Sequence, residues 1–251
     1  MGYLKLIKTG HVIEVYQYEK DPVIPDFDID DDDNYLVWCP IEQKMIDLTP
    51  EWLRECKNKT KESYTRSNSV RCRNMIRRLC LANFDNKSKF VTLTFAENMQ
   101  CLDTAHKQFK QFIQRMRYKY GTFKYIAVIE FQKRGAIHYH MMSDLPYIPN
   151  EKLAKIWRHG FVRINNISKV DNVGAYMVKY MLKDVEDDRL AGRKAYLYSK
   201  GLTRPEVFKN DDAWRIVKEN DLENKKIVFT NSYISEYLGE VVYAEYNLKR
   251  H

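Results

Sequence analysis

The chain has 251 residues, 44% of them hydrophobic, enough for one sizeable core or one domain plus an appendage. A net charge of +8 and a pI near 9.0 favour a polyanionic partner. Five cysteines, odd in number and without a Cys-x-x-Cys, point to a reducing cytosol and away from structural zinc; with no signal-peptide pattern and no apolar run of ~20 residues, a cytoplasmic protein outside the membrane is expected.

Charge is unevenly spread from the start. Asp26, Asp28, Asp30, Asp31, Asp32 and Asp33 form an acidic cluster, expected to be a solvated loop and a brake on non-specific binding of polyanions. Between Arg54 and Arg78 the balance reverses, with Arg71, Arg73, Arg77 and Arg78 at its end. This stretch is predicted to be largely helical, opened by Thr49-Pro50-Glu51, a capping threonine before a proline at the first helical position. A basic helix is often only a solvated face; with a polyanionic partner, contact with phosphates is the better expectation.

Phe90–Phe95 alternates as a strand. The helix predicted over Asp103–Tyr120 carries Ala105, Phe109, Phe112, Ile113 and Met116 at helical spacing. A β-hairpin follows, with apolar Tyr125–Ile129 leading in, Ile137, Tyr139 and Met141 leading out, and Lys133-Arg134-Gly135 between. A three-residue loop ending in glycine suits a type I turn followed by a left-handed position, which places Arg134 at the tip. Gln132 then faces Ala136, Glu130 faces His138 and Val128 faces His140. Because side chains alternate with period two, Glu130, His138 and His140 share a face. Directly opposed Cβ atoms lie roughly 4.5–5.5 Å apart, close enough for Glu130 and His138 to hold one ion. A His-x-His pair alone is ordinarily two polar residues on a wet strand. The opposed carboxylate adds a third donor, and two imidazoles with a carboxylate suit a divalent cation that also holds a substrate oxygen.

A short helix over Asn150–Trp157 and a strand over Phe161–Ile164 come next. A further helix is predicted beyond Gly174, with Asp171 as its N-cap and Ala175, Val178, Leu182 and Val185 as an anchoring stripe. Tyr176 and Tyr180, one turn apart, project away from that stripe, and Lys183 shares their side. Tyr196–Pro205 reads as irregular and basic, Asp211–Lys218 as a short helix, and Lys225–Thr230 and Glu240–Tyr246 as late strands. The β-α-β-β-α-β-α order from Lys87 predicts an α+β fold, an antiparallel sheet with helices packed on one face and the other left for chemistry. The expected organisation is an N-terminal region over 1–86 with nucleic-acid-type phosphate contacts, a core over 87–184, and an extension of the same unit over 185–251.

Three segments in this order resemble the motifs of rolling-circle replication initiators (Rep) of the HUH endonuclease superfamily. They are Phe90-Val91-Thr92-Leu93-Thr94-Phe95, Ile137-His138-Tyr139-His140-Met141 and Tyr176-Met177-Val178-Lys179-Tyr180-Met181-Leu182-Lys183. The resemblance covers roughly Lys87 to Asp184, and the paired tyrosines are similar to those of small-phage and some plasmid initiators. Tyr139 stands where an aliphatic residue is commoner. Both Tyr176-x-x-Lys179 and Tyr180-x-x-Lys183 fit the Tyr-x-x-Lys pattern, so the order of attack stays open; likeness to single-tyrosine initiators favours Tyr180 first.

The resemblance implies an RRM-like core in which Glu130, His138 and His140 hold Mg2+ or Mn2+. A tyrosine then cuts one origin strand, forming a 5′-phosphotyrosine and a free 3′-hydroxyl primer, and rejoins the strand at termination. Lys183 or Lys179 would lower the phenol pKa or contact phosphate. Arg71, Arg73, Arg77, Arg78, Lys133 and Arg134 are the expected DNA-binding residues. The sequence contains no Gly-x-x-x-x-Gly-Lys-[Ser/Thr], so unwinding is assigned to a host helicase. Expected partners are double- and single-stranded origin DNA and the host replication machinery, with a homodimer left open. Within the same chemistry a transposase or mobilisation relaxase is the alternative. A metal-dependent hydrolase would leave no protein–DNA adduct, and a non-catalytic sheet-based binder would stack bases on Tyr125, Phe131 and Tyr139.

Overall fold

A computed structural model of the chain describes residues 3–20, 28–29, 35–39, 44–47, 70–180, 188–190, 193, 196–235 and 238–250. In chain order the first elements are β1 (Tyr3–Thr9), β2 (Val12–Tyr18), β3 (Asp28–Ile29), β4 (Tyr35–Cys39), β5 (Lys44–Asp47) and a helix over 70–83, α1. Next come β6 (Lys89–Thr94), α2 (Leu102–Tyr120), β7 (Tyr125–Phe131), β8 (Ile137–Ser143), α3 (Asn150–Trp157), β9 (Val162–Asn166) and α4 (Val173–Val178). The last are β10 (Tyr196–Tyr198), β11 (Glu206–Lys209), α5 (Asn210–Glu219), β12 (Ile227–Ser235) and β13 (Gly239–Asn247).

Two compact units result: Met1–Ile7, Ile13–Asn68 and Val207–His251 form one, Lys8–Val12 and Ser69–Glu206 the other. In the first, a sheet of order β11-β1-β2-β13-β12 places Leu4, Leu6 and Ile13 against Ala213, Ile216 and Val217 of α5. β3, β4 and β5 form a small antiparallel ladder. Apart from Asp28 in β3, the acidic cluster lies outside the described residues, as does the basic segment before residue 70.

The second unit is built on an antiparallel sheet of order β10-β7-β8-β6-β9. The β6-α2-β7-β8-α3-β9 chain interleaves two βαβ halves, so β8 lies between β7 and β6 in a ferredoxin-like arrangement. This is the predicted α+β class. Period two divides the sheet's side chains: Val91, Leu93, Ala127, Ile129, Tyr139 and Met141 pack under α2 and α3. α2 buries Ala105, Phe109, Phe112, Ile113 and Met116, as its spacing predicts. On the opposite face Phe90, Ile126, Val128 and Met142 meet Ile76, Leu79 and Cys80 of α1 and Val173 and Met177 of α4. The face expected to hold the chemistry therefore also carries two helices.

Three local expectations are corrected. The cap of α4 is Asn172, whose Oδ1 accepts the Ala175 amide at 2.8 Å, while Asp171 precedes it on the surface. The anchor is Val173, Gly174 and Met177; Ala175 is exposed and Val178 half-buried, and Leu182 and Val185 lie outside the described residues. Tertiary contact explains this, because a β-carbon on Gly174 would stand 2.5 Å from the Arg77 carbonyl oxygen, so α4 docks through its first turn directly on the backbone of α1. Tyr196–Pro205 is not wholly irregular, since Tyr196–Tyr198 pairs with Ile126–Val128 and forms the edge strand β10.

Candidate active site

The hairpin has the predicted register, with Phe131 opposite Ile137, Glu130 opposite His138 and Val128 opposite His140. Gly135 takes the left-handed conformation, φ 85°, where a β-carbon would be strained. Its amide donates to the Gln132 carbonyl at 2.7 Å, and the Asn98 and Gln100 side-chain amides donate to the Arg134 carbonyl, fixing the tip. Lys133 and Arg134 are exposed there.

Glu130, His138 and His140 converge, one donor atom of each lying within 4.8 Å of the others. His138 and His140 are buried, whereas the Glu130 carboxylate side chain is 34% exposed, so the cluster opens on the glutamate side. Glu130 Oε2 and His140 Nε2 are 2.5 Å apart. The Glu130 carboxylate accepts the proton of the His140 Nε2–H tautomer across this contact, and a divalent cation could take that proton's place. Thr92, opposite His140 on β6, sets the ring from behind with its Oγ1 3.3 Å from Nδ1. Burial first, then the neighbouring charges of His140 and Arg134, hold His138 below the usual imidazole range despite the opposing pull of Glu130. It is therefore neutral near pH 7, the form that ligates a metal. The donor set fits a divalent cation.

Tyr180 lies flat against His140, with ring centroids 4.4 Å apart at 29°. Phe90, fully buried on the same sheet face, supports both tyrosines at 4.7 Å from Tyr180 and 5.0 Å from Tyr176. The Tyr180 hydroxyl donates to the Tyr176 hydroxyl at 3.3 Å. Burial, and then this hydrogen bond, push the Tyr180 phenol up to about 12, with Arg163 opposing the rise. Without added positive charge the phenol stays protonated. Lys179 is exposed, and Lys183 lies outside the described residues. Arg71 is exposed on α1, while Arg73, Arg77 and Arg78 are half-buried.

Three neighbours of the site have no role assigned by the motifs: Phe90 and Thr92, which lie inside the first motif-like segment, and Arg163, which lies outside all three. Alternation along β6 and β9 could have found them, since Val91, Leu93, Val162 and Ile164 point into the core and their neighbours must point to the site. Tyr139 points the other way. Its ring stacks on Phe109 at 4.6 Å and its hydroxyl meets His106 Nδ1 at 2.8 Å, so the polar tip that sets it apart from an aliphatic residue has its own partner. Tyr139 and Phe131 are thus core residues and offer no stacking platform for bases.

Residues 88–185 match the family model for replication-associated protein ORF2/G2P. The matched segment holds β6 to α4, including the triad and both tyrosines, and covers less than half of the chain. This similarity to replication-associated proteins supports a replication initiator. No curated protein and no solved structure matches the chain. No helix among the described residues is long and apolar enough to cross a membrane.

Proposed function

We propose that the protein initiates rolling-circle replication by cutting one strand at an origin through tyrosine transesterification. The observation that carries this reading is the Tyr180 ring stacked on His140, one of three converging metal-type donors. Glu130, His138 and His140 would hold a divalent cation, which when bound would supply positive charge to neutralise and polarise the scissile phosphodiester. Tyr180 Oη attacks phosphorus in line, the bond from phosphorus to the 3′ oxygen breaks, and the phenol loses the proton that the leaving oxygen gains. The products are a 5′-phosphotyrosine and a 3′-hydroxyl that primes synthesis.

The phosphotyrosine keeps the phosphodiester's energy, so rejoining needs no nucleotide cofactor. Tyr176, within hydrogen-bond reach of Tyr180, would serve the second transfer that ends the round. Origin DNA is the substrate, and the exposed cations of α1 and of the hairpin tip, Arg71, Lys133 and Arg134, approach its phosphates. Helicase action would come from the host.

The test is nicking of labelled single-stranded origin DNA with Mn2+ or Mg2+. EDTA, His138→Ala and His140→Ala should each abolish nicking while leaving duplex binding largely intact, because phosphate contacts do not need the ion. Full nicking in excess chelator would contradict the metal assignment.

A further inference from the structure

The layer formed by α2 and α3 lies on the sheet face opposite the triad and carries cations that the nicking reaction does not use. Two grooves flank α2 and share Gln114 as a wall. The first, of about 990 Å3, runs between α2 and β10 and is lined by Lys110, Arg117, Lys124 and Lys200. Its one carboxylate, Asp144, already accepts the Lys124 backbone amide at 2.8 Å. The second, of about 1090 Å3, runs between α2 and α3 and is lined by Arg115, Lys119, Lys152, Lys155 and Arg158, with no carboxylate.

One cation of the second groove is fixed by the fold. Arg115 donates to the Ile156 and Trp157 carbonyls at 2.8 and 3.1 Å, which fixes its guanidinium near that of Arg158. Burial and then the Arg158 charge push Arg115 below its usual range, a repulsion that a bound anion would relieve. Aromatic rings accompany the charges. Tyr118, 96% exposed, lines the second groove, and Tyr198, 38% exposed, lines the first. So exposed a ring as Tyr118 adds little to the fold, while Tyr198 extends a stack on Tyr196 with Arg204 over its ring; cations interleaved with exposed aromatic rings are what unpaired bases and their phosphates require. A duplex keeps its base faces stacked inside and would leave both rings unused.

We propose that the α2–α3 surface is a second, sequence-tolerant site for single-stranded nucleic acid, with phosphates along the two grooves and bases on Tyr118 and Tyr198. It lies on the far side of the sheet from the triad, so it holds strand remote from the cut phosphate. The proposal rests on the nicking reading only for the source of that strand, the one displaced or freed at the origin.

Fluorescence anisotropy of labelled oligo(dT) in EDTA tests it, since neither the metal nor Tyr180 is then needed. A variant combining Lys110→Gln, Arg117→Gln, Lys119→Gln and Lys155→Gln should lose affinity on the order of tenfold or more and flatten the log–log salt slope by about 0.7 per phosphate left unneutralised. Tyr118→Ala should weaken oligo(dT) binding roughly five- to a hundredfold and leave duplex binding unchanged. Lys110→Arg with Lys119→Arg and Lys155→Arg should bind as the wild type, which separates loss of charge from loss of fold. Wild-type affinity and slope in the glutamine variant would overturn the proposal. Equal loss on oligo(dT) and duplex, with Tyr118→Ala silent, would overturn it in favour of duplex phosphates. Absence of nicking in a separate assay would sink the replication reading and leave this titration standing.

Discussion

Tyr180 and Tyr176 differ in what their rings touch. Tyr180 stacks on the triad through His140, whereas Tyr176 leans on Phe90 and meets Tyr180 hydroxyl to hydroxyl. Within the proposed reaction, that asymmetry favours Tyr180 for the first attack. Tyr180→Phe keeps the stacked ring and removes one hydrogen bond, so it should cost no more than about 1 kcal/mol of stability while eliminating covalent adduct. Tyr176→Phe should still cut and form adduct but slow or fail at the second transfer. Identical behaviour of the two variants on a gel would mean that the tyrosines are interchangeable. Thr92 acts one step further out, through the His140 ring. Thr92→Val should weaken Mn2+ binding roughly 10- to 100-fold by calorimetry without unfolding the sheet; unchanged affinity would show that Thr92 does not orient the ring.

At the scale of elements, the hairpin is the most legible part of the chain, because period-two alternation and one glycine in last place of the loop fix a register completely. Glu130, His138 and His140 can therefore be placed on one face without knowledge of any tertiary contact. α4 is less legible. A wheel drawn for a long helix ending at Val185 selects Ala175 and Val178 as anchors, but the helix is held by a tertiary feature no periodicity reports, the close approach of Gly174 to the Arg77 carbonyl. β10 escapes a sequence reading for a similar reason: three residues become a strand only because β7 offers them a free edge. Phe90 and Thr92 lie in the first motif-like segment and Arg163 in none, but the motif gives none of the three a role; their places at the site follow from the alternation of β6 and β9. Gly174→Ala tests the docking. The added methyl should cost about 1–3 kcal/mol in thermal or denaturant unfolding and reduce adduct formation, while the hairpin still binds Mn2+. Wild-type stability and adduct yield would mean that α4 does not need that approach.

Across the whole molecule, a net charge of +8 is consistent with a polyanionic partner, but only its placement says which surface meets which strand. α1 joins the two considerations: its apolar face is packed on the sheet under α4, while Arg71 is exposed and Arg73 half-exposed. Arg71→Gln with Arg73→Gln, which spares the more structural Arg77 and Arg78, should weaken origin duplex binding and lower the log–log salt slope by about 0.9 for each phosphate no longer neutralised. An unchanged slope would assign the described end of this basic segment to folding or solubility. The central claim is that a tyrosine of α4 becomes covalently joined to DNA. Its most direct test is to incubate the full chain with Mn2+ and single-stranded origin DNA labelled 3′ of the cut, resolve the products on a denaturing gel, and map the labelled peptide by mass spectrometry. A labelled protein band whose 5′-phosphate is on Tyr180, lost in Tyr180→Phe, is the predicted result; cleavage without any protein-linked label, or adduct that survives when both Tyr176 and Tyr180 are phenylalanine, would contradict it.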